Sequence, residues 1–408
     1  MESSKPSLRW VQLALGVICM MSISSSQYVW TLFTKPLGAA LGATLTELQV
    51  TFSVLIVIQT FFSPLQGFLV EKFGPRLLLS VGALLTGASW VLAAHATSLS
   101  LLYLTYGGLG GLGTGIIYVG VIGLMVTWFP DKRGLACGLA AAGYGMGALA
   151  TTFPIADSLA ANGYQDTLQW FGLGLGLVGL AAAQGIRRPL SGKGPRPPAA
   201  LDRAVTPREM LKTPLFWLLF AMMTMMSTSG LMVISQMASF SRDFGVAGVT
   251  VWGSAALPWA LTLDRFTNGL TRPFFGWVSD RLGRENTMTL AFGGEALAML
   301  LWFACRDNAV LFVLLSGVVF FGWGEIFSLF PSILTDSFGE AHGTTNYGFL
   351  YMAQGIGSIF GGPLAALLHD ASGSWLPVFA LVISCDLLTA LLAYVALKPL
   401  RRRTLAAA

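Results

Sequence analysis

Charge is what this chain has least of. Only 11% of its 408 residues are Asp, Glu, Lys or Arg, while 54% are hydrophobic and the mean hydropathy is +0.69. Soluble domains carry about a quarter charged residues, so the composition excludes a soluble globular protein. Cysteine is also scarce, and Cys19, Cys137, Cys305 and Cys385 lie in apolar runs without metal-like spacing, which makes them packing residues. The histidines His95, His342 and His369 fall near the ends of the apolar runs, at membrane boundaries. No metal-ligand cluster, nucleophile elbow or paired catalytic carboxylate is present, so neither an enzyme nor a cofactor is implied. Basic residues form no stripe with interleaved aromatics, which removes nucleic acid as a partner. The glycine runs at 107–115 and 144–147 lack the Lys-Ser/Thr of a phosphate loop and read as close helix packing.

What the chain does have is apolar runs long enough to cross a bilayer, from end to end. The polar breaks predict twelve spans, at about 10–34, 46–69, 77–95, 99–128, 134–161, 167–186, 214–240, 250–278, 287–304, 309–334, 344–368 and 374–397. The first run exceeds a signal-peptide core and reads as a retained helix. An all-α membrane protein follows, with a six-helix half at 1–186, a linker at 187–213 and a second half at 214–408. Pro189, Pro195, Pro197, Pro198 and Pro207 mark the linker as a loop. With both termini inside, the inner segments hold nineteen Lys and Arg, and the outer ones hold only Lys35, Arg242 and Arg306. That bias predicts cytoplasmic termini in a cell inner (plasma) membrane.

The halves repeat at a shift of 209 residues. Gly67-x-x-x-Glu71-Lys72-x-Gly74 falls on Gly276-x-x-x-Asp280-Arg281-x-Gly283, Ser26-Gln27 on Ser235-Gln236, Pro64 on Pro273, and Gln59 on Asn268. One charge stands out against this pattern. Arg272 lies eight residues before Asp280, about 12 Å into the hydrocarbon layer at 1.5 Å per residue. A guanidinium there costs roughly 2.5–3.5 kcal/mol and stays charged, so it points to something anionic.

GFLVEKFGPR and GWVSDRLGR resemble the G-x-x-x-D-R-x-G-R signature of the major facilitator superfamily. SSSQYVWTLFTKPL, WFPDKRGLACGLAAAGYGMG, NGLTRPFFGWVSDRLGR, FFGWGEIFSLFPSILTDSFG and NYGFLYMAQGIGSIFGG are similar to its oxalate:formate antiporter family. The resemblance implies the twelve-helix, two-half fold and a substrate site near the membrane midplane. It implies that Arg272 binds a carboxylate within an aromatic cage of Tyr28, Tyr118, Tyr144, Trp323 and Tyr351, with Phe327 where a tyrosine is usual. Gln354 stands where the family pattern has a lysine, so one cation faces a dianion where the pattern has two. Glu71, Arg76, Asp280, Arg281 and Arg284 would form inner gates, or merely shape tight turns.

Arg265, Asn268 and Arg272 are spaced i, i+3, i+7 and share a helix face. Arg265 therefore either supplies a second cation on an anion path or pairs with Glu325 or Asp264. Glu325 is either that partner, the partner of Arg272, or a proton-coupling group. Glu295 and Asp386, in peripheral spans, are expected to pack helices. The reading implied is a monomeric secondary transporter, in contact with the lipid bilayer, that exchanges oxalate for formate by alternating access. Its alternatives are a proton-coupled monocarboxylate symporter and a non-transporting membrane sensor.

Overall fold

Apolar backbone in a bilayer must satisfy its own hydrogen bonds, and in this chain helices do so. The computed structural model describes residues 6–189 and 204–406. Lys5, Lys193, Arg196 and Arg203, counted above on the inner side, and the middle of the expected linker lie outside those residues.

The first span is two helices, α1 (Pro6–Tyr28) and α2 (Trp30–Leu41), interrupted at Val29. A capping box between Thr44 and Glu47 then starts α3 (Leu45–Phe61). α3 and α4 (Ser63–Phe73) form one span bent by 52° at Phe62. α5 (Pro75–Ala94) follows, and α6 (Leu99–Leu102), a π-helical stretch (Tyr103–Leu109) and α7 (Gly110–Trp128) run as one helix. α8 (Arg133–Gln184) contains two expected spans, divided where Gly163 leaves helical geometry at φ 79°, ψ 175°.

After the short α9 (Pro207–Met210) come α10 (Pro214–Asp243) and an antiparallel hairpin of β1 (Thr250–Val251) and β2 (Ser254–Ala255). The apolar run at 250–278 predicts a span that takes in these hairpin residues. Gly253, at φ 85°, lets the chain turn there instead, and the helix starts at Ala256. Next are α11 (Ala256–Leu282), α12 (Arg284–Ala304), α13 (Ala309–Phe321), α14 (Ile326–Phe338), α15 (Gly343–Ser372) and α16 (Leu376–Leu392). A π-helical stretch (Ala393–Leu397) leads into α17 (Lys398–Ala406). Nine helical runs among the described residues are long and apolar enough to span, ten with the bent pair. Dividing α8 at Gly163 and adding α11, which its five charged residues keep from that count, gives twelve.

The repeat is visible in backbone geometry. Gly74 and Gly283, 209 residues apart, precede α5 and α12 with φ, ψ of 98°, 147° and 86°, 155°. A side chain is disfavoured in that conformation, which explains glycine at the same place in both turns.

The contacts form two compact units. Unit 1 comprises Met1–Asp131, Leu139–Pro207 and Phe338–Met352, and unit 2 comprises Lys132–Gly138, Arg208–Ser337 and Ala353–Ala408. In unit 1, Trp30 and Tyr106 pack with ring centroids 4.7 Å apart, and Phe33 meets Trp90 edge-on at 5.6 Å. Ser26 ties them together, accepting from Trp90 Nε1 at 3.0 Å and, through its carbonyl, from Tyr106 Oη at 2.9 Å. In unit 2, Phe240, Trp302, Phe312 and Phe379 form the counterpart, with Trp302 Nε1 donating to the Phe312 carbonyl at 2.8 Å. Lipid is as apolar as these rings, so shape fit and the few hydrogen bonds hold such cores. Each aromatic pair contributes about 0.5–1.5 kcal/mol.

Candidate functional site

Unit 2 carries the cation. Arg272 sits within α11 and is 1% exposed. Its Nη2 donates to Asn268 Oδ1, one turn earlier, at 2.9 Å, and its guanidinium lies 4.6 Å from the centroid of the Phe327 ring. An amide oxygen and a ring face both orient a guanidinium. The backbone here is packed against the opening of α8, where a Cβ on Gly138 would strike the Arg272 carbonyl. That contact fixes the helix from which Arg272 projects.

Trp323, Phe327 and Glu325 come from a break in span ten. α13 ends at Phe321 and α14 begins at Ile326, leaving Gly322–Glu325 as irregular turns. Irregular backbone at membrane depth is tolerated only where protein or a cavity surrounds it. Trp323 Nε1 donates to the Met226 carbonyl at 2.8 Å, and its ring meets Phe327 edge-on at 5.9 Å. A Cβ on Gly230 would overlap that indole, so α10 needs glycine at this level. Glu325 is fully buried, and neither carboxylate oxygen has a hydrogen-bond partner among the described residues. It feels the charges of Asp386 and Arg272. Asp386 accepts from Ser229 Oγ at 2.7 Å, and Glu295 backs onto Gly322. Gln354 is buried on α15 and reaches Ser358 Oγ at 3.4 Å.

Arg265 does not form the buried pair weighed above. Its residue is exposed, and it makes no ion pair with Glu325 or Asp264. The shared face runs from buried Arg272 and Asn268 to exposed Arg265.

Unit 1 carries the four expected tyrosines. Tyr118 stacks on Tyr351 at 4.7 Å and 16°, meets Tyr144 edge-on at 5.2 Å, and Tyr144 meets Tyr28 edge-on at 5.6 Å. Gln59 Nε2 donates to the hydroxyls of Tyr144 at 3.3 Å and Tyr351 at 3.2 Å, while Tyr144 Oη donates to Gln27 Oε1. The sequence presented Gln27 and Gln59 only as repeat positions. Their amides fix the tyrosine hydroxyls, and spacing gave no sign of it.

The signature turns are latched in both units. Glu71 accepts the Thr345 N–H at 2.9 Å and the Thr345 hydroxyl at 2.6 Å, near the start of α15. Asp280 accepts the N–H groups of Gly134 and Leu135, both at 2.9 Å, at the start of α8. Helix N-termini present unpaired amides and partial positive charge, so a carboxylate is the natural partner. Gly67 and Gly276 permit the approach, since a Cβ on either would strike the facing backbone at Thr344–Thr345 or Gly134. Unit 2 adds charge, with Arg284 bonding Asp280 at 2.7 Å and Asp336 at 2.8 Å, and Arg133 bonding Asp336 at 2.6 Å. Two other expected gate residues turn elsewhere. Arg76 donates to Gln184, and Arg281 lies 3.9 Å over the Trp277 ring. Arg133, Asp336 and Thr345 were not singled out in the sequence, because Arg133 meets Asp336 across 203 residues and Thr345 meets Glu71 across 274.

Comparison with known proteins bears on the family and the fold. The Major Facilitator Superfamily profile matches residues 13–263 and 218–407. The oxalate:formate antiporter of Oxalobacter formigenes is 35% identical over 95% of this chain and 90% of its own length. Monocarboxylate transporter 13 of Bos taurus is 26% identical over 80% and 75%. Among solved structures, the proton:xylose symporter XylE bound to 6-bromo-6-deoxy-D-glucose superposes with a TM-score of 0.73 at 13% identity, covering 96% of each chain, which speaks to the fold alone. The chain is a multi-pass membrane transporter and not an enzyme, and it belongs to the major facilitator superfamily.

Proposed function

We propose that this transporter exchanges small carboxylates, oxalate inward against formate outward, by alternating access. The observation that carries the reading is the buried guanidinium of Arg272, oriented by Asn268 and Phe327. A bidentate Arg–carboxylate pair is strong in a low-dielectric setting, and each site of this kind favours a planar anion. The tyrosine cluster of Tyr28, Tyr118, Tyr144 and Tyr351 supplies hydroxyls and positive ring edges of the size that suits a small flat carboxylate. On this reading the carrier converts only with a carboxylate bound, which makes exchange obligatory. Oxalate carries two charges and formate one, so each cycle moves net negative charge inward.

The name of the Oxalobacter relative supports the substrate pair. The positive bias of one side supports cytoplasmic termini in the inner membrane, and each chain works as a monomer. A second reading, proton-coupled monocarboxylate symport, is favoured by Glu325, a buried carboxyl without hydrogen bonds among the described residues, and by the monocarboxylate transporter relative. Labelled oxalate uptake into proteoliposomes separates the two. Under exchange, uptake needs internal formate or oxalate and is absent with buffer inside. Net lactate or pyruvate uptake driven by an inward proton gradient, with no oxalate uptake under any loading, would replace exchange with symport.

A further inference from the structure

A cavity of ≈ 500 Å³ opens on unit 1 where the turn between α4 and α5 meets the end of α8. Arg76, Arg187 and Arg188 line it, together with Gln184, Phe73 and Leu77. Arg76 donates to Gln184 Oε1 through Nε at 3.3 Å and Nη2 at 3.1 Å. Arg188 donates to the backbone carbonyls of Val70, at 3.0 Å, and Glu71. The Arg187 backbone is fixed at both ends, its N–H by Gln12 at 2.8 Å and its carbonyl by Trp128 at 3.0 Å. Its guanidinium makes no hydrogen bond among the described residues.

Every one of these acceptors is neutral. Among the described residues none of the three arginines makes an ion pair. Glu71, the acid of the same turn, commits both carboxylate oxygens to Thr345. Three like charges therefore line one cavity, and their mutual repulsion favours an anion brought from outside. The rim is of the opposite character. Phe73 and Leu77 are 54% and 55% exposed, which in a spanning helix bundle is surface offered to acyl chains. A cationic floor beside an apolar rim matches an amphiphile better than a soluble ion.

We propose that this cavity binds the phosphodiester headgroup of an anionic phospholipid, with its acyl chains along Phe73 and Leu77. Basic pockets between spanning helices at the positively charged membrane side are suited to such headgroups. The bound lipid would tie the beginning of α5 to the end of α8.

The test uses the purified full-length protein in detergent, with phosphatidylglycerol, phosphatidylcholine or inorganic phosphate added. Native mass spectrometry reads retained lipid, and thermal unfolding reads stabilisation. Phosphatidylglycerol should be retained and raise the unfolding midpoint, and the other two should not. Arg187→Gln, which removes a side chain without hydrogen bonds, should weaken retention roughly fivefold, and each further Arg→Gln by a similar factor. The triple Arg→Lys variant keeps the charges and should keep most of the binding, which guards against a folding defect. Equal retention by wild type and the triple Gln variant would overturn the proposal. So would equal retention of phosphatidylcholine, or arginine-dependent protection by phosphate alone, which would make the cavity a site for soluble anions.

Discussion

Asp280 bonds the backbone of Gly134 at 2.9 Å although 146 residues separate them, and Glu71 bonds Thr345 in the same way in the other unit. The two latches are not equal in charge. Glu71 meets an amide and a hydroxyl, with His342 at 3.7 Å, whereas Asp280 also holds Arg284, whose side chain is only 9% exposed. Asp280→Asn should therefore cost more than Glu71→Gln, by about 1–3 kcal/mol, because it weakens the pairing of a buried cation as well as the helix cap. Thermal unfolding of the two variants checks the order. Equal losses would mean that Arg284 contributes nothing through Asp280.

Close helix approach gives a sharper contrast. A Cβ on Gly138 would strike the Arg272 carbonyl, while Gly174, also helical, has nothing within 4 Å of that position. Gly138→Ala should depress transport and stability by displacing the helix that carries Arg272. Gly174→Ala should leave transport unchanged and stabilise by up to about 1 kcal/mol through helix propensity. Side-by-side flux and unfolding measurements decide it, and a harmless Gly138→Ala would remove the packing argument.

Gln59 donates to two tyrosine hydroxyls, at 3.3 and 3.2 Å. Gln59→Leu should leave Tyr144 and Tyr351 in place but remove the amide that joins their hydroxyls, Tyr144 keeping its bond to Gln27. Substrate affinity should fall about tenfold with little change in maximal exchange rate, since about 1–1.5 kcal/mol of orientation is lost. A fall in maximal rate at unchanged affinity would assign Gln59 to packing instead.

These relationships mark where the sequence stopped being legible. Arg272 was readable because one formal charge in an apolar run has a computable cost, and Asp280 because its motif repeats 209 residues from Glu71. The turn glycines Gly74 and Gly283 follow from the same repeat. The partners were not readable. Arg133 meets Asp336 only through folding, and neither residue has a local pattern that names the other. The break at Gly322–Glu325 was hidden as well, because the flanking apolar residues continue a helical run on either side. Periodicity also overran at the start of α11, where Gly253 permits a hairpin that hydropathy cannot distinguish from helix. Arg265 shares a face with Arg272, but spacing says nothing about where that face stops being covered.

Gln354 tests the account of charge. It is buried and contributes no formal charge, so under the proposed exchange a dianion would meet Arg272 with one fewer cation than the family pattern supplies. Gln354→Lys should raise affinity for oxalate over formate by about tenfold, because the added charge favours the second carboxylate. Competition between the two anions in exchange assays measures this ratio. No change in the ratio, with the protein intact, would place Gln354 away from the substrate.

The central claim is that Arg272 binds the carboxylate. The most direct measurement is oxalate uptake into formate-loaded proteoliposomes by Arg272→Gln and Arg272→Lys, beside wild type at matched protein content. The account predicts at least a hundredfold loss for Arg272→Gln, about 2.7 kcal/mol or more, and a partial loss for Arg272→Lys, which keeps the charge but not the planar fork. Wild-type flux in Arg272→Gln would contradict it.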